Sequence, residues 1–187
     1  WMKANASELG IDATRIGIAG QSSGGHLAML AAMRPSDGRY SKLPLEDGGG
    51  IDASVSCVGM LWPVINPLSR YRYAMGLNAS AKPPKWSGHI PAAHDTYWVT
   101  EDAMEEGNPM LALERGEAVA TPPALWIQGQ PDAVHDYVDT FTGQEMTEPE
   151  RFAANYRKAG GDIEVLYVEQ DTRSSTPVFQ ALADFFV

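Results

Sequence analysis

The chain has 187 residues, of which 44% are hydrophobic, and it carries a formal net charge of −10 at pH 7. This length suffices for one domain with a substantial core, and no apolar run approaches the roughly 20 residues that cross a bilayer. The negative charge argues against a nucleic acid or an anionic membrane as the main partner.

The first residues have the pattern of a helix end. Residues Met2 to Leu9 predict the last turns of a helix, and Gly10 suits its C-cap. The chain begins at Trp1 within this pattern, without a signal sequence, and its single cysteine excludes an intrachain disulfide framework. We therefore expect a cytoplasmic protein, with an N-terminal segment or a second chain that completes the fold.

The stretch from Arg15 to Leu30 predicts a strand, a tight turn and a helix. Its centre, Gly20-Gln-Ser22-Ser-Gly24, is a G-x-S-x-G sequence, which places Ser22 at the apex of a strained turn. Glycine at both ends is expected to remove Cβ atoms that would clash there. The following helix, predicted from Ser23 to Met33, directs free N–H groups towards Ser22. The backbone N–H of Ser23 is therefore a candidate oxyanion donor.

The middle of the chain lacks a regular pattern. A surface loop is predicted from Ser36 to Gly50 and a buried strand from Ile51 to Leu61. Residues 62–116 show no clear period and many prolines, which predicts an irregular insertion forming a lid or cap over a pocket. Its aromatic side chains either line that pocket or only pack the insertion onto the body. The candidates for substrate contact are Trp62, Tyr71 and Trp98.

The remaining residues alternate between strand and helix patterns. A buried strand is predicted at 124–128, and a capping box at Thr147 opens a helix that ends at Lys158. A strand nearer the sheet edge follows at 163–168, and Thr176 begins the last helix. This alternation predicts an α/β fold with a mainly parallel sheet covered on both faces. The predicted divisions are residues 1–61, 62–116 and 117–187.

The sequence Gly20-Gln-Ser-Ser-Gly-Gly-His-Leu-Ala28 resembles the alpha/beta-hydrolase-fold esterases of the hormone-sensitive-lipase-like and carboxylesterase groups. The resemblance implies a serine nucleophile, Ser22, and a nucleophile elbow followed by a cap insertion, with the N-terminal strands of the family absent from this chain. It also implies an acid at the end of a later strand. Asp132 matches the family pattern Gly-x-x-Asp from Gly129 onwards, although an Asp at this position also suits an ordinary turn.

The histidine that completes such a triad is missing from its usual place. The family carries it in the loop after the last strand, here Glu169 to Thr176, which contains no histidine. Only His135 lies beyond Asp132, so it is the candidate base. It could reach Ser22, because adjacent strand ends lie about 5 Å apart, or be an exposed loop histidine, since a histidine on the acid's own loop must turn back to face Ser22. We therefore expect a small effect of His135→Ala. Structural or solvated roles, without a metal site, are predicted for the other histidines, which are His26, His89 and His94.

Two functions remain open at this point. The first is a serine hydrolase that cleaves a small carboxylic ester through an acyl-enzyme, without cofactor or metal. The second is a small-molecule binding protein on the same scaffold that has lost the base. If His135 is the base, hydrolysis is expected to rise with pH through an apparent pKa near 6.5, shifted upward by the Asp132 carboxylate.

Overall fold

The computed structural model describes residues 1–40, 43, 45, 50–140 and 143–187. Within them, four parallel strands form one sheet in chain order, which confirms the predicted parallel α/β architecture. Because all strands run in the same direction, their carboxyl ends meet at one edge, where such folds place their functional residues. The strands are β1 (Ile18–Gln21), β2 (Val58–Leu61), β3 (Ala124–Gln130) and β4 (Ile163–Glu169).

Helices connect these strands. The bounds of α2 and the end of α7 agree with the prediction, and Gly10 caps α1 in the left-handed conformation with φ 65°. None of the helices in the described ranges combines the length and hydropathy needed to cross a bilayer. The predicted loop from Ser36 to Gly50 lies partly outside the described residues. The helices are α1 (Ala6–Leu9), α2 (Ser23–Met33), α3 (Pro67–Asn78), α4 (Ile90–Trp98), α5 (Glu101–Glu106), α6 (Pro109–Glu114), α7 (Glu148–Lys158) and α8 (Thr176–Phe185).

The sheet carries a core on each face. Trp126 of β3 packs with Phe152 of α7 in the larger core, which also contains residues of α2 and α6. Its neighbours Leu125 and Ile127 point to the opposite face, where they pack with Val178 of α8. This alternation follows the two-residue period of a strand. The sheet is therefore buried on both sides, as its apolar strand sequences require.

The prediction of an irregular insertion is wrong, because residues 62–116 form the helices α3 to α6. Three of these helices carry a proline, Pro67, Pro91 or Pro109, in the first turn. A proline is tolerated there because its missing N–H has no intrahelical acceptor, and its fixed φ suits the helix. The prolines that suggested an irregular chain therefore mark the starts of three of these four helices.

Two asparagines join the helices of this insertion. The side-chain oxygen of Asn66 accepts the Ser69 N–H at the start of α3, and that of Asn108 accepts the Leu111 N–H at the start of α6. The Asn108 amide also donates to the Asn66 side-chain oxygen at 2.8 Å. One buried hydrogen-bonded pair therefore caps two helices and fixes the distance between their first turns.

Asn108→Ala is expected to lower the free energy of unfolding by about 2 kcal/mol, because it removes a helix cap and leaves the buried Asn66 oxygen with one donor fewer. Thr100→Ala, which removes the exposed cap of α5, is the matched control and should have an effect of about 1 kcal/mol or less. Urea unfolding of both variants measures the difference. Equal losses would contradict a joint role for the asparagine pair.

Candidate active site

Ser22 lies in a strained turn between β1 and α2. Its backbone has φ 51° and ψ −116°, a conformation that few residues other than glycine adopt. Three backbone hydrogen bonds stabilise this strained conformation. The Ser22 N–H donates to the Leu61 carbonyl at 2.9 Å, and the Ser22 carbonyl accepts the N–H groups of His26 and Val64 at 3.2 and 3.1 Å. The next strand and the insertion thus hold the serine at the carboxyl edge of the sheet.

Close packing in this turn requires glycine at two positions, one of which differs from the prediction. A Cβ at Gly20 would lie 2.1 Å from the Gly24 carbonyl oxygen, and a Cβ at Gly25 would lie 2.9 Å from the Pro63 side chain. A Cβ at Gly24 would meet none of the described atoms within 4 Å. The expected clash at Gly24 is therefore wrong. The predicted clash at Gly20 is present, and the second close approach between the α2 backbone and its surroundings lies at Gly25.

Asp132 begins a tight turn directly after β3. Its carbonyl accepts the N–H groups of His135 and Asp136 at 3.2 and 2.8 Å, and its carboxylate accepts the Val134 N–H at 3.0 Å. This is close to one turn of a helix, in which residues three apart lie on the same side. The imidazole of His135 therefore lies over the carboxylate, with its Nδ1 2.9 Å from the Asp132 Oδ2.

The same imidazole reaches the serine. His135 Nε2 lies 3.4 Å from the Ser22 Oγ. The contact reaches across the carboxyl end of β2, which lies between β1 and β3 in the sheet. We expected a histidine on the acid's own loop to miss the serine, but the helical turn directs the ring back along the chain. Hydrogen bonds in unliganded sites are often this long and shorten when substrate binds. The structure thus brings Ser22, His135 and Asp132 together in one line.

Burial and charge determine the protonation of the pair. Burial lowers the pKa of the His135 imidazole below its ordinary value; the hydrogen bond and charge of Asp132 oppose this, and the charges of Arg70 and Arg173 add to it. The expected upward shift is thus contradicted. Burial tends to raise the pKa of the Asp132 carboxyl. The hydrogen bond from His135 and nearby positive charge nevertheless hold that pKa below its ordinary value. At neutral pH the imidazole is neutral and the carboxylate is charged.

The loop after β4 contributes a cation beside the acid. Arg173 Nη1 lies 3.8 Å from the Asp132 Oδ2, and its guanidinium carbon is 5.3 Å from the centre of the Trp62 ring. The resemblance expects a histidine in this loop. Because an arginine stays protonated, Arg173 cannot serve as the base, and it affects the site through its charge.

Ser22 opens onto a cavity of about 330 Å³ between the elbow and the insertion. Ser23, the predicted oxyanion donor, and Trp98, a predicted substrate contact, are both among its lining residues. Trp62 and Tyr71 are not among its lining residues. Trp62 is 2% exposed and packs in the core below α8, and the Tyr71 ring lies against His94. Both were expected to contact substrate, and here they pack within the protein.

Besides Tyr97 with its hydroxyl, three lining residues of this cavity are polar and were not predicted as binding groups. The imidazole of His26 lies 2.6 Å from the Gly107 carbonyl, and His94 Nδ1 lies 3.0 Å from the Ile90 carbonyl. Burial lowers the pKa of both imidazoles, so both are neutral at neutral pH. The third is Arg70 of α3. The sequence does not distinguish Arg70 from Arg72, two residues later. Only the structure shows that Arg70 is buried and Arg72 is exposed.

A metal ion has no matching ligand set in the described ranges. No group of three or more His, Cys, Asp or Glu side chains there is arranged to hold one. The polar groups of the site are instead suited to proton transfer. A hydroxyl, a neutral imidazole and a buried carboxylate in series can activate the hydroxyl as a nucleophile.

Sequence comparisons relate the N-terminal third of the chain to ester hydrolases. A family model described as BD-FAE matches residues 1–60. Over 60 residues the chain is 42% identical to the probable carboxylic ester hydrolase LipM of Mycobacterium tuberculosis, a match that covers 32% of this chain and 14% of LipM.

Structural comparisons extend over the whole chain. The thermophilic esterase Est2 of Thermogutta terrifontis superimposes with a TM-score of 0.62 at 23% identity, covering 100% of this chain and 59% of Est2. The Pyrobaculum calidifontis esterase gives 0.61 at 21% identity, covering 100% of this chain and 56% of that protein. The chain thus spans less than two thirds of these relatives. Together with the sequence matches, these likenesses confirm the resemblance and the predicted alpha/beta-hydrolase fold.

Gly20→Ala is expected to lower the free energy of unfolding by about 2 kcal/mol or more, because its Cβ would overlap backbone atoms that cannot rotate away. Gly24→Ala should be neutral or stabilising by up to about 1 kcal/mol, because its Cβ meets open space and alanine favours the helix. Thermal unfolding of the two variants tests this. A large loss of unfolding free energy in Gly24→Ala would contradict the open space found beside the Gly24 Cα.

Proposed function

We propose, from the premise that this chain has the alpha/beta-hydrolase fold, that it hydrolyses small carboxylic esters through a covalent acyl-enzyme on Ser22. The observation that carries the proposal is the series of contacts from Ser22 Oγ to His135 Nε2, at 3.4 Å, and from His135 Nδ1 to Asp132, at 2.9 Å. The esterases and the ester hydrolase among the relatives support the same reaction class.

In the proposed reaction His135 is the general base. Its neutral Nε2 takes the Ser22 proton as Oγ attacks the ester carbonyl, and then returns a proton to the departing alcohol. Water then attacks the acyl-enzyme with the same histidine as base; the bond between the acyl carbon and Oγ breaks, the acid leaves, and His135 returns the proton to Ser22. The Asp132 carboxylate stabilises the imidazolium that forms in each step. The lowered pKa of His135 favours this role, because the base is unprotonated at neutral pH.

The oxyanion would form at the start of α2. The N–H groups in the first turn of a helix have no intrahelical acceptor, and the helix dipole places partial positive charge there. The backbone N–H of Ser23 follows the nucleophile directly and is the proposed donor.

The helical insertion, residues 62–116, is proposed as the cap that covers the substrate. Four of its residues, Val64, Pro67, Ile90 and Trp98, contribute apolar lining to the cavity onto which Ser22 opens. A cavity of about 330 Å³ is at the small end of ligand pockets, which supports a small ester.

The binding-protein alternative depended on the absence of a base. His135 removes that reason, because its imidazole contacts both the serine hydroxyl and the acid. A strained serine held by three hydrogen bonds also favours catalysis, since strain of this kind is characteristic of functional sites. The hydrolase is therefore the function that the geometry supports best.

His135→Ala and Ser22→Ala are each expected to reduce turnover of a short aryl ester by about 10³- to 10⁴-fold, because members of a triad act as a unit. This replaces the small effect expected for His135 from the sequence. His89→Ala, at an exposed position of the insertion, is the matched control and should change turnover less than twofold. Circular dichroism verifies folding. A loss below tenfold in a folded His135→Ala variant would refute the assignment of the base.

The rate of hydrolysis is expected to rise with pH through an apparent pKa below 6.5, because the imidazole must be neutral to act and its pKa is lowered. Arg173→Gln removes a positive charge that disfavours the imidazolium, so the profile should move to higher pH. Arg72→Gln, in which an exposed arginine paired with Glu101 is lost, should leave the profile in place. The pH dependence of kcat/KM measures both, and an unmoved profile in Arg173→Gln would contradict the electrostatic role.

A further inference from the structure

Arg70 of α3 is a buried cation without a hydrogen-bonding partner at two of its nitrogens. Its side chain lines the cavity that also contains Ser22, yet the residue is only 8% exposed. Among the described residues, neither Nε nor Nη1 of the guanidinium has a hydrogen-bond partner. A charged group removed from water in this way is costly unless something pairs with it.

The other buried arginines demonstrate the usual solution. Arg34 donates to the Glu117 carboxylate at 2.6 Å, and Arg151 donates to the Glu114 carboxylate at 2.7 Å through each of two nitrogens. Arg70 is as buried as Arg34, but no carboxylate of the described residues forms an ion pair with it. Burial accordingly lowers the pKa of Arg70. Electrostatic interactions with Tyr137 and Asp132 act in the opposite direction but are smaller.

Asp132 does not take the place of the missing partner. Its carboxylate oxygens accept hydrogen bonds from His135, Gln128 and the Val134 N–H. A second cavity beyond Arg70 has a volume of about 10 Å³, which is room for at most one water molecule. A water there could accept one N–H, but it would not neutralise the guanidinium.

The remaining polar groups of the main cavity are neutral. The imidazoles of His26 and His94 have lowered pKa values because they are buried. His94 Nε2 is itself buried without a hydrogen-bond partner among the described residues. The cavity therefore presents one fixed positive charge to a ligand within an otherwise uncharged wall. A singly charged anion with two oxygens in a plane matches that charge and the fork of a guanidinium.

We propose that Arg70 binds a free carboxylate of the substrate, so that the preferred esters are half-esters of small dicarboxylic acids. The inference rests on the proposed hydrolase function and names its substrate class. A carboxylate suits the site better than a phosphate, because a doubly charged phosphate with three oxygens would need more donors than one guanidinium supplies. Arg70 is thus a specificity-determining residue for one end of the ester.

The test compares two esters of the same shape, monoethyl glutarate and the ethyl ester of glutaramic acid. The first ends in a carboxylate, and the second ends in a neutral amide. Titration of the released acid at pH 8, where His135 is neutral in every variant, gives kcat/KM for each. The full chain is expected to prefer the half-ester by about 10- to 100-fold, as for a charge-assisted hydrogen-bonded pair. In Arg70→Met this ratio should fall to about one, and in Arg70→Lys it should take an intermediate value.

Arg72→Met is the matched control, since it removes a positive charge from the same helix at an exposed position, and it should keep the wild-type ratio. A ratio near one in the wild type, with both hydrolyses lost in Ser22→Ala, would overturn the carboxylate site and leave the hydrolase standing. If neither ester is cleaved, the proposed function fails. Glutarate binding, measured by isothermal titration calorimetry, then decides: binding that Arg70→Met abolishes upholds the site, and no binding to the wild type refutes it.

Discussion

The turn that begins at Asp132 is the constraint on which the candidate site depends. One residue supplies the carbonyl that closes the turn and the carboxylate that orients the imidazole, so the conformation of the loop and the direction of His135 are determined together. The rest of the site is arranged around this geometry. The parallel register brings the end of β3 beside the end of β2, and the Leu61 carbonyl in turn fixes the backbone of Ser22. An acid and a base three residues apart thus reach a serine more than a hundred residues earlier in the chain.

Two arginines make the environment of this relay electropositive in an otherwise acidic protein. Arg70 approaches from the insertion and Arg173 from the loop after β4, and the charges of both disfavour a proton on His135. The Asp132 carboxylate opposes them, but burial favours the neutral ring as well. The base therefore stays available at neutral pH, although it is hydrogen-bonded to a carboxylate that in isolation would raise its pKa.

Local sequence signals predicted what local interactions determine. The bounds of α2, the C-cap at Gly10 and the start of α7, where the Glu150 carboxylate accepts the Thr147 N–H at 3.0 Å, depend on residues a few positions apart. The helices of the insertion were missed because three of them have a proline in the first turn, and these prolines were interpreted as signs of an irregular chain. The reach of His135 and the burial of Trp62 were missed for another reason: they depend on how distant segments meet, and neither period nor composition encodes that.

The carbonyl of Ser22 has a consequence for how substrate enters. Because it accepts the N–H of Val64, the first residues of the insertion are bonded to the nucleophile's own peptide group. A rigid swing of the whole insertion about its root would pull on the serine and break the alignment with His135. Under the proposed function, substrate is therefore expected to enter by motion farther along the insertion, where α4 carries Trp98, a lining residue of the cavity. The root of the insertion is then the anchor of the proposed cap, and its distal helices are the proposed gate.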